Sequence, residues 1–273
     1  MIFSKKPYYR YKTGRQIWRL LLSEKSKLLI EERGGDKTEV FFNIIDVGTK
    51  TLLLESLQLE EMQWAGVDHL TDKYIFFHKY VKPDLPHHVG IMLYSIEDKK
   101  IIWKDENRVF EFFIDNRICC SSQGTFEKLH FLLKIDEGNI VEDNEIDLTT
   151  FHRIRNEKNQ QELTSDYLFP EVTDISDERV EKILINNKID LNRIAGDIEF
   201  IKFKNYLILT YHVKVSEDLY NCELLMFDLE KEAKVVSEVL GNNLKTLFFD
   251  SFFIKGNFLY LLKGKKEIAI YDL

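Results

Sequence analysis

The chain alternates short apolar runs with short polar turns along most of its length. Five runs are rich in β-branched and aromatic residues and are bounded by polar residues: KLLIE at 27–31, KYIFFH at 73–78, RICCS at 117–121, NYLILT at 205–210 and NFLYLL at 257–262. Runs of this length and composition are typical of β-strands rather than helices. The pattern therefore predicts an all-β protein.

Each of these runs occupies the same place in a longer unit. One apolar run precedes it, and another follows it and ends in an acidic turn. Asp46, Asp136, Asp228 and Asp272 occupy that turn in four units, and the second unit has SIED at 95–98 instead. An aspartate at the start of a tight turn accepts hydrogen bonds from backbone N–H groups about two residues on. With a third run after several of these turns, each unit holds about four strands.

The units recur at a nearly constant spacing. Their central runs begin near residues 28, 74, 118, 206 and 258, which are separated by 46, 44, 88 and 52 residues. Four-stranded repeats of about 40 to 50 residues are the signature of β-propeller blades. We therefore expect a single β-propeller-like domain over 1–273 with about five four-stranded blades.

The long interval leaves two interpretations open, a degenerate sixth blade or an insertion. We favour a partly helical insertion at about 145–195, because the composition there turns polar and SDERVEKILINN at 176–187 predicts a helix capped by Ser176 or Asp174. The alternative is that DYLFPEV at 166–172 is a blade strand, which Pro170 disfavours.

The last unit lacks a fourth strand, since the sequence stops at Leu273. The segment PYYRYK at 7–12 precedes the first unit and has no other evident partner. We expect it to supply the missing strand, because this removes two sheet edges that otherwise invite aggregation.

Charge and cysteine content narrow the function classes. The formal net charge is -8, from 46 acidic and 38 basic residues, which disfavours nucleic-acid and anionic-membrane partners. The three cysteines, Cys119, Cys120 and Cys222, form no CxxC pair, so we expect three free thiols. Without a recognisable signal peptide or membrane span, the expected location is cytoplasmic and the expected state is a monomer.

Sequence motifs for catalysis or cofactor binding are absent. The chain contains no P-loop, GxGxxG, GxSxG, HExxH or EF-hand pattern, so we expect no cofactor and no resident metal. The one local cluster of titratable residues is HKYVKPDLPHH at 78–88. Imidazole and carboxylate groups suit metal binding or acid–base work, but a polar loop joining two strands is the simpler interpretation.

Connectivity predicts which face of a propeller would bind a partner. The predicted loops at 79–89 and 213–220 and the insertion at 145–195 all leave the same face, and long loops on a rigid scaffold are where binding residues concentrate. The candidate binding face has five residues at or near the ends of two strands: His78, Asp84, His88, Tyr211 and His212.

Two stretches carry resemblances to known families. GIMLYSIEDKKIIW at 90–103 resembles the blade core of quinoprotein-type propellers, without their calcium or quinone ligands, and so implies only the fold. The whole chain resembles an uncharacterised bacteroidete family, domain of unknown function 4905, through IWRLLL at 17–22, KYIFFHKYVKPDLPHHVGI at 73–91 and IEFIKFKNYLILTYH at 198–212. That resemblance implies no activity.

The expected function is a non-catalytic interaction module that binds a protein partner on the long-loop face. The alternative is an enzyme or small-ligand binder with a polar pocket at the mouth of the propeller channel. One fold hosts many functions, so only the arrangement of side chains discriminates between them.

Overall fold

The computed structural model describes residues 5–35, 39–60, 64–82, 85–163 and 166–273. In chain order the strands are β1 Tyr9–Lys12, β2 Gln16–Leu22, β3 Lys27–Arg33, β4 Val40–Asp46, β5 Thr51–Leu57, β6 Ala65–Leu70, β7 Tyr74–Lys82, β8 Leu85–Ser95, β9 Lys100–Asp105, β10 Val109–Ile114, β11 Arg117–Gln123, β12 Lys128–Asp136, β13 Asn139–Ile146, β14 Tyr167–Leu168, β15 Glu171–Thr173, β16 Ile194–Phe203, β17 Tyr206–Ser216, β18 Leu219–Asp228, β19 Ala233–Leu244, β20 Phe252–Lys255, β21 Phe258–Lys263 and β22 Glu267–Asp272. The helices are α1 Leu148–Leu163 and α2 Glu178–Asn186, with a 3₁₀ turn at Leu191–Arg193.

The strands of the described ranges form five antiparallel sheets. Three have four strands in chain order: β2-β3-β4-β5, β6-β7-β8-β9 and β10-β11-β12-β13. The fourth is β15-β16-β17-β18-β19, and the fifth is β1-β22-β21-β20-β14. Four strands that run up and down in sequence order are the internal topology of a propeller blade. The all-β, propeller-like fold predicted from the sequence is confirmed.

The chain divides into two compact units. Residues 15–165 hold the first three sheets and α1. Residues 1–14 together with 166–273 hold the fourth and fifth sheets and α2.

The sheets are apolar on both faces, which explains why their central strands do not alternate in polarity. Phe76 and Phe77 are adjacent on β7 and fully buried, yet they belong to different core clusters. Adjacent side chains on a strand point to opposite faces, so the second sheet packs on both sides. Burying one such phenylalanine contributes about 1.5–3 kcal/mol to folding.

The cysteines follow the same rule. Cys119 and Cys120 are adjacent on β11, and each packs into a different apolar cluster. All three thiols are free and buried, which confirms the expectation from the sequence. Burial raises the pKa of each thiol to about 12. These cysteines therefore behave as small apolar core residues.

The acidic turns at Asp46 and Asp228 form as predicted. Asp46 Oδ1 accepts a hydrogen bond from Thr49 N at 3.0 Å. Asp228 Oδ1 accepts from the backbone N–H groups of Glu230 and Lys231 at 3.0 and 3.1 Å. In the second sheet Ser95 takes this role, because its hydroxyl accepts from Asp98 N at 3.1 Å. A short polar side chain thus closes each of these hairpins.

The N-terminal strand completes the last sheet, as predicted. β1 pairs antiparallel with β22, with Tyr9 opposite Ile270 and Lys12 opposite Glu267. Arg10 forms ion pairs with Glu267 and, at 2.5 Å, with Glu238 on β19. The first and last strands of the described ranges are therefore neighbours in one sheet.

The insertion contains two helices where the sequence predicted one. The predicted helix at 176–187 is α2, and its N-cap is Asp177 rather than Ser176 or Asp174. Its residues Val180, Ile183 and Leu184 pack on the fourth sheet. α1 was not predicted, because only Phe151 and Ile154 of its residues belong to the buried cluster on the third sheet. Two apolar positions are too weak a periodic signal to identify a helix.

The DYLFPEV segment is strand on both sides of Pro170. β14 pairs with β20 and β15 pairs with β16, so the segment adds an edge strand to each sheet of its unit. Pro170 lies between the two strands and donates to neither ladder, which is how a proline is tolerated here.

The predicted loops at 79–89 and 213–220 were wrong. β7 and β8 extend to Lys82 and from Leu85, and β17 and β18 leave only residues 217–218 between them. Backbone pairing continues past the apolar part of each strand, with Tyr80 opposite His88 and Val213 opposite Asn221. The sequence did not predict these extensions, because they contain polar residues and a strand is recognised by its alternating apolar residues.

Candidate functional site

Three neighbouring strands of the second sheet bring two histidines and an aspartate together. Asp68 lies on β6, His78 on β7 and His88 on β8. One potential ligand atom from each residue lies within 4.8 Å of the other two. Within the described ranges, this is the one group of three or more His, Cys, Asp and Glu side chains with such spacing.

Strand pairing places these side chains on one face. Gly66 lies opposite His78, and Asp68 is two residues farther along β6. Tyr80 is two residues beyond His78 on β7 and lies opposite His88. Because residues two apart on a strand share a face, Asp68, His78 and His88 project from the same face of the sheet. The register between β6 and β7 shifts at Asp68, which is an extra residue in its strand.

The close approach of the strands depends on Gly66. Its backbone lies opposite His78, and a Cβ at Gly66 would lie 2.5 Å from His78 Nε2 and 2.8 Å from Cε1. The imidazole of His78 therefore occupies the space that a side chain at position 66 would need.

Asp68 lies at the centre of the cluster. Its Oδ1 is 2.8 Å from Nδ1 of His78 and 3.0 Å from Nδ1 of His88. The two imidazoles stack, with ring centroids 3.6 Å apart and planes inclined by 11°. Tyr80 packs edge-on against both rings. Both histidines thus present the same nitrogen to one carboxylate.

The cluster is buried on one side and open on the other. The side chains of His78 and Asp68 are 0% and 7% exposed, whereas that of His88 is 39% exposed. The contact between His88 Nδ1 and Asp68 is a hydrogen bond. Both ring nitrogens of His78 and Oδ2 of Asp68 have no hydrogen-bond partner among the described residues, because the 2.8 Å approach of His78 Nδ1 to Asp68 Oδ1 lacks hydrogen-bond geometry. A buried polar atom without a partner costs about 1–3 kcal/mol, so this arrangement requires an explanation.

Electrostatics keep His88 neutral near pH 7. Burial and the neighbouring His78 lower the pKa of His88, and they outweigh the opposing effect of Asp68. Burial also raises the pKa of Tyr80. Arg19 donates to the carbonyl oxygen of Val67, next to Asp68, at 2.5 Å. A neutral imidazole is the form that binds metal ions.

The structure unites part of the candidate face predicted from the sequence. His78 and His88 lie together, and Asp84 is outside the described residues. Tyr211 and His212 are buried on β17, in the other unit. Tyr211 donates to Glu223 Oε2 at 3.2 Å, and His212 Nε2 accepts from Phe248 N at 2.8 Å. The side chains of Tyr211 and His212 therefore form hydrogen bonds within their own unit.

Asp68 was not identified from the sequence. It belongs to the apolar run QWAGVD at 63–68, which predicts the strand before KYIFFH. In an antiparallel sheet that strand must neighbour β7, so its one acidic residue was a candidate partner for His78. No motif in the sequence links Asp68 to the histidines.

A family model described as a domain of unknown function (DUF4905) matches residues 22–103, which include all three residues of the cluster. No curated protein matches the sequence.

Solved structures with a similar course of the chain include the Dos1 propeller, with 9% identity and a TM-score of 0.33, covering 98% of this chain and 76% of that one. A post-proline cleaving enzyme from Rickettsia typhi is 13% identical with a TM-score of 0.32, covering 94% of this chain and 44% of the enzyme. A structure from a study of two prolyl endopeptidases is 12% identical with a TM-score of 0.32, covering 90% of this chain and 37% of that one. At this level of similarity nothing about their activities transfers. No described helix has the length and apolar character needed to cross a membrane.

Proposed function

We propose that the chain is a propeller-like module that binds a divalent transition-metal ion through Asp68, His78 and His88. The observation that carries the proposal is the convergence of three ligand atoms within 4.8 Å around a buried imidazole whose nitrogens lack hydrogen-bond partners in the described part of the chain. A coordinated cation would satisfy His78 and Asp68 together, and this removes the cost of burying them without partners.

The spacing of the ligand atoms suits such an ion. Two atoms that each lie about 2.0–2.2 Å from a metal are roughly 3.0–3.5 Å apart. The distances of 2.8 and 3.0 Å from Asp68 Oδ1 to the two imidazole nitrogens are close to this range. Because the two imidazole planes are stacked 3.6 Å apart, at least one ring must rotate to direct its Nδ1 lone pair at the ion.

The ligand chemistry favours zinc or a neighbouring first-row metal over calcium or magnesium. Imidazole suits Zn²⁺, Cu²⁺, Ni²⁺ and Fe²⁺, whereas the harder Ca²⁺ and Mg²⁺ prefer oxygen ligands alone. Three protein ligands leave at least one coordination position open. Because His88 is partly exposed, that position would face solvent and accept water or a ligand.

The test is metal titration of the full chain after chelation. We expect saturable binding of one Zn²⁺ by calorimetry, and of one Co²⁺ with visible d–d absorption. His88→Ala and Asp68→Asn should each weaken binding by about 10- to 100-fold or more. The matched control is His87→Ala. The His87 side chain is exposed, and it points to the opposite face of the strand from the adjacent His88.

Equal loss of metal in His87→Ala and His88→Ala would contradict the proposal, as would the absence of saturable binding in the wild type. In that case Asp68 serves only as a hydrogen-bond partner of His88. His78→Ala is a poor first variant, because it removes a buried ring and destabilises the sheet independently of metal.

A second candidate function is binding of a protein partner, in a non-catalytic interaction module. It is favoured by exposed apolar side chains along the insertion in the unit of residues 1–14 and 166–273. Leu168, Phe169, Val172 and Ile175 are between 40% and 67% exposed. Apolar groups concentrated in one exposed segment are a common feature of interaction sites.

The corresponding experiment compares partners captured from native cells by the wild type and by Phe169→Asp with Val172→Asp. We expect a partner to be lost only in this variant. Phe126→Asp is the control, because Phe126 is 98% exposed in a turn of the other unit. Retention of every partner by the double variant would exclude this surface.

We further propose that similarity to DUF4905 extends beyond residues 22–103 to the whole chain, and that the family is bacteroidete. The segment IEFIKFKNYLILTYH at 198–212 supports the first part, since its strands form the centre of the fourth sheet. We also propose a cytoplasmic location. The acidic net charge supports a monomer that binds neither nucleic acid nor anionic membranes. Gel filtration and salt-dependent DNA-binding assays test these expectations.

A further inference from the structure

A cavity of about 360 Å³ lies between α2 and the fourth sheet. It belongs wholly to the unit of residues 1–14 and 166–273, and it shares no residue with the histidine cluster. Pockets of this size are in the range that holds small organic ligands. Its lining comes from three elements: α2, the paired strands β16, β17 and β18, and the turn after β18.

The floor of the cavity is apolar. Val180 and Ile183 project from α2, and Leu207 and Phe227 project from the sheet; all four are buried. Phe200 and Leu229 extend this surface toward the opening. A floor with no polar side chain favours a ligand with an apolar body, because water gains few hydrogen bonds there.

The rim of the cavity is charged, and only some of its charged side chains form ion pairs. Asp177 caps α2 by accepting from the N–H groups of Arg179 and Val180, and it also pairs with the Arg179 side chain at 3.4 Å. Lys182 on α2 and Lys202 on β16 have no ion-pair partner among the described residues. Glu232 is the remaining acid of the lining. Two lysines from different elements thus leave a net positive charge at the opening.

We propose that this cavity binds a small amphipathic anion, with an aliphatic or aromatic body on the apolar floor and one carboxylate between Lys182 and Lys202. The proposal does not depend on the metal site. A lysine ammonium group binds an anion without a fixed geometry. The apolar contacts would therefore determine which ligand shapes bind.

The test is calorimetric titration of the full chain with decanoate, and with decylammonium as its cationic counterpart. We expect one decanoate to bind per chain below about 1 mM, and decylammonium to bind at least tenfold more weakly. Lys202→Glu and Lys182→Glu should each weaken decanoate binding about tenfold. Lys245→Glu is the matched control, an exposed lysine of the same unit that does not line the cavity.

Three results would overturn the proposal: no saturable decanoate binding, equal affinity for the two probes, or equal weakening in the Lys245→Glu control. Leu229→Arg provides a second check that does not alter the lysines. Because Leu229 is partly exposed at the opening, this variant should fold while it obstructs the apolar floor and lowers affinity for both probes. His88→Ala must leave decanoate binding unchanged, which separates this outcome from failure of the metal proposal.

Discussion

Gly66 lies where the second sheet has no room for a side chain. Its backbone faces His78, and the histidine ring fills the space in front of it. The same strand carries Asp68 in its bulge. Gly66 therefore determines how closely the imidazole of His78 approaches the carboxylate of Asp68, which also contacts His88.

Replacing Gly66 by alanine tests this role. A Cβ 2.5 Å from Nε2 must push the His78 ring away. We expect Gly66→Ala to cost about 1–3 kcal/mol of stability and to weaken Zn²⁺ binding at least tenfold. Urea unfolding and metal titration measure the two effects.

Gly14→Ala is the control, because nothing lies within 4 Å of the added Cβ there. Full metal affinity in Gly66→Ala would show that the ring position does not depend on Gly66.

At the scale of elements, one buried carboxylate connects four strands. Glu238 on β19 accepts hydrogen bonds from Lys263 on β21 at 2.5 Å, from Arg10 on β1 at 2.5 Å and from Tyr271 on β22. Burial raises the pKa of Glu238, but its charged and phenolic donors lower it more, so the pKa lies below its ordinary value. The fourth and fifth sheets are therefore joined by a charge as well as by apolar packing.

This predicts a dependence of stability on pH. A carboxyl group whose pKa is depressed by folding stabilises the protein above its unfolded pKa of about 4.3, and this stabilisation is lost as the pH falls through the folded pKa. We expect Glu238→Gln to cost about 2 kcal/mol at pH 7 and less as the pH falls below about 4. Urea unfolding across this range measures the difference.

Glu230→Gln is the comparison, because Glu230 is exposed in a turn of the same unit. A difference between wild type and Glu238→Gln that does not change with pH would contradict the linkage.

At the scale of the whole molecule, the first and last strands of the described chain are neighbours. β1 covers the edge of β22, whose residues Ile268, Ala269 and Ile270 are fully buried. This sheet is therefore complete only after residues more than 250 positions apart come into contact. Long-range pairing of this kind slows folding, because closing the long loop costs entropy before any stabilising contact forms.

Deletion of residues 1–13 should be strongly destabilising. It removes the pairs from Tyr9–Ile270 to Lys12–Glu267 and exposes the edge of β22. We expect a loss of about 3 kcal/mol or more and a fall in Tm of roughly 5–10 °C, with increased aggregation. Thermal unfolding followed by circular dichroism measures it.

Arg10→Ala is the milder control, since it removes ion pairs and keeps the strand. An unchanged Tm in the deletion variant would mean that β1 contributes nothing to the stability of the sheet.

The sequence by itself determined the four-stranded sheets, the turns at Asp46, Ser95 and Asp228, and the N-terminal strand. These features depend on local chemistry: apolar runs of strand length, and an aspartate or serine that closes a turn. α2 was also predictable, since its three buried residues recur with helical spacing. α1 was not, because most of its surface is polar.

The tertiary structure alone decided which side chains meet. His78 and His88 are close in the sequence, but polar residues around them indicated a loop, and only strand pairing stacks their rings. Asp68 joins them because Gly66, two residues earlier on β6, lies opposite His78, and His212 accepts a hydrogen bond from Phe248 N instead. Register shifts and packing between strands depend on many weak contacts across the sheet. Their combined effect cannot be recognised from a local pattern in the sequence.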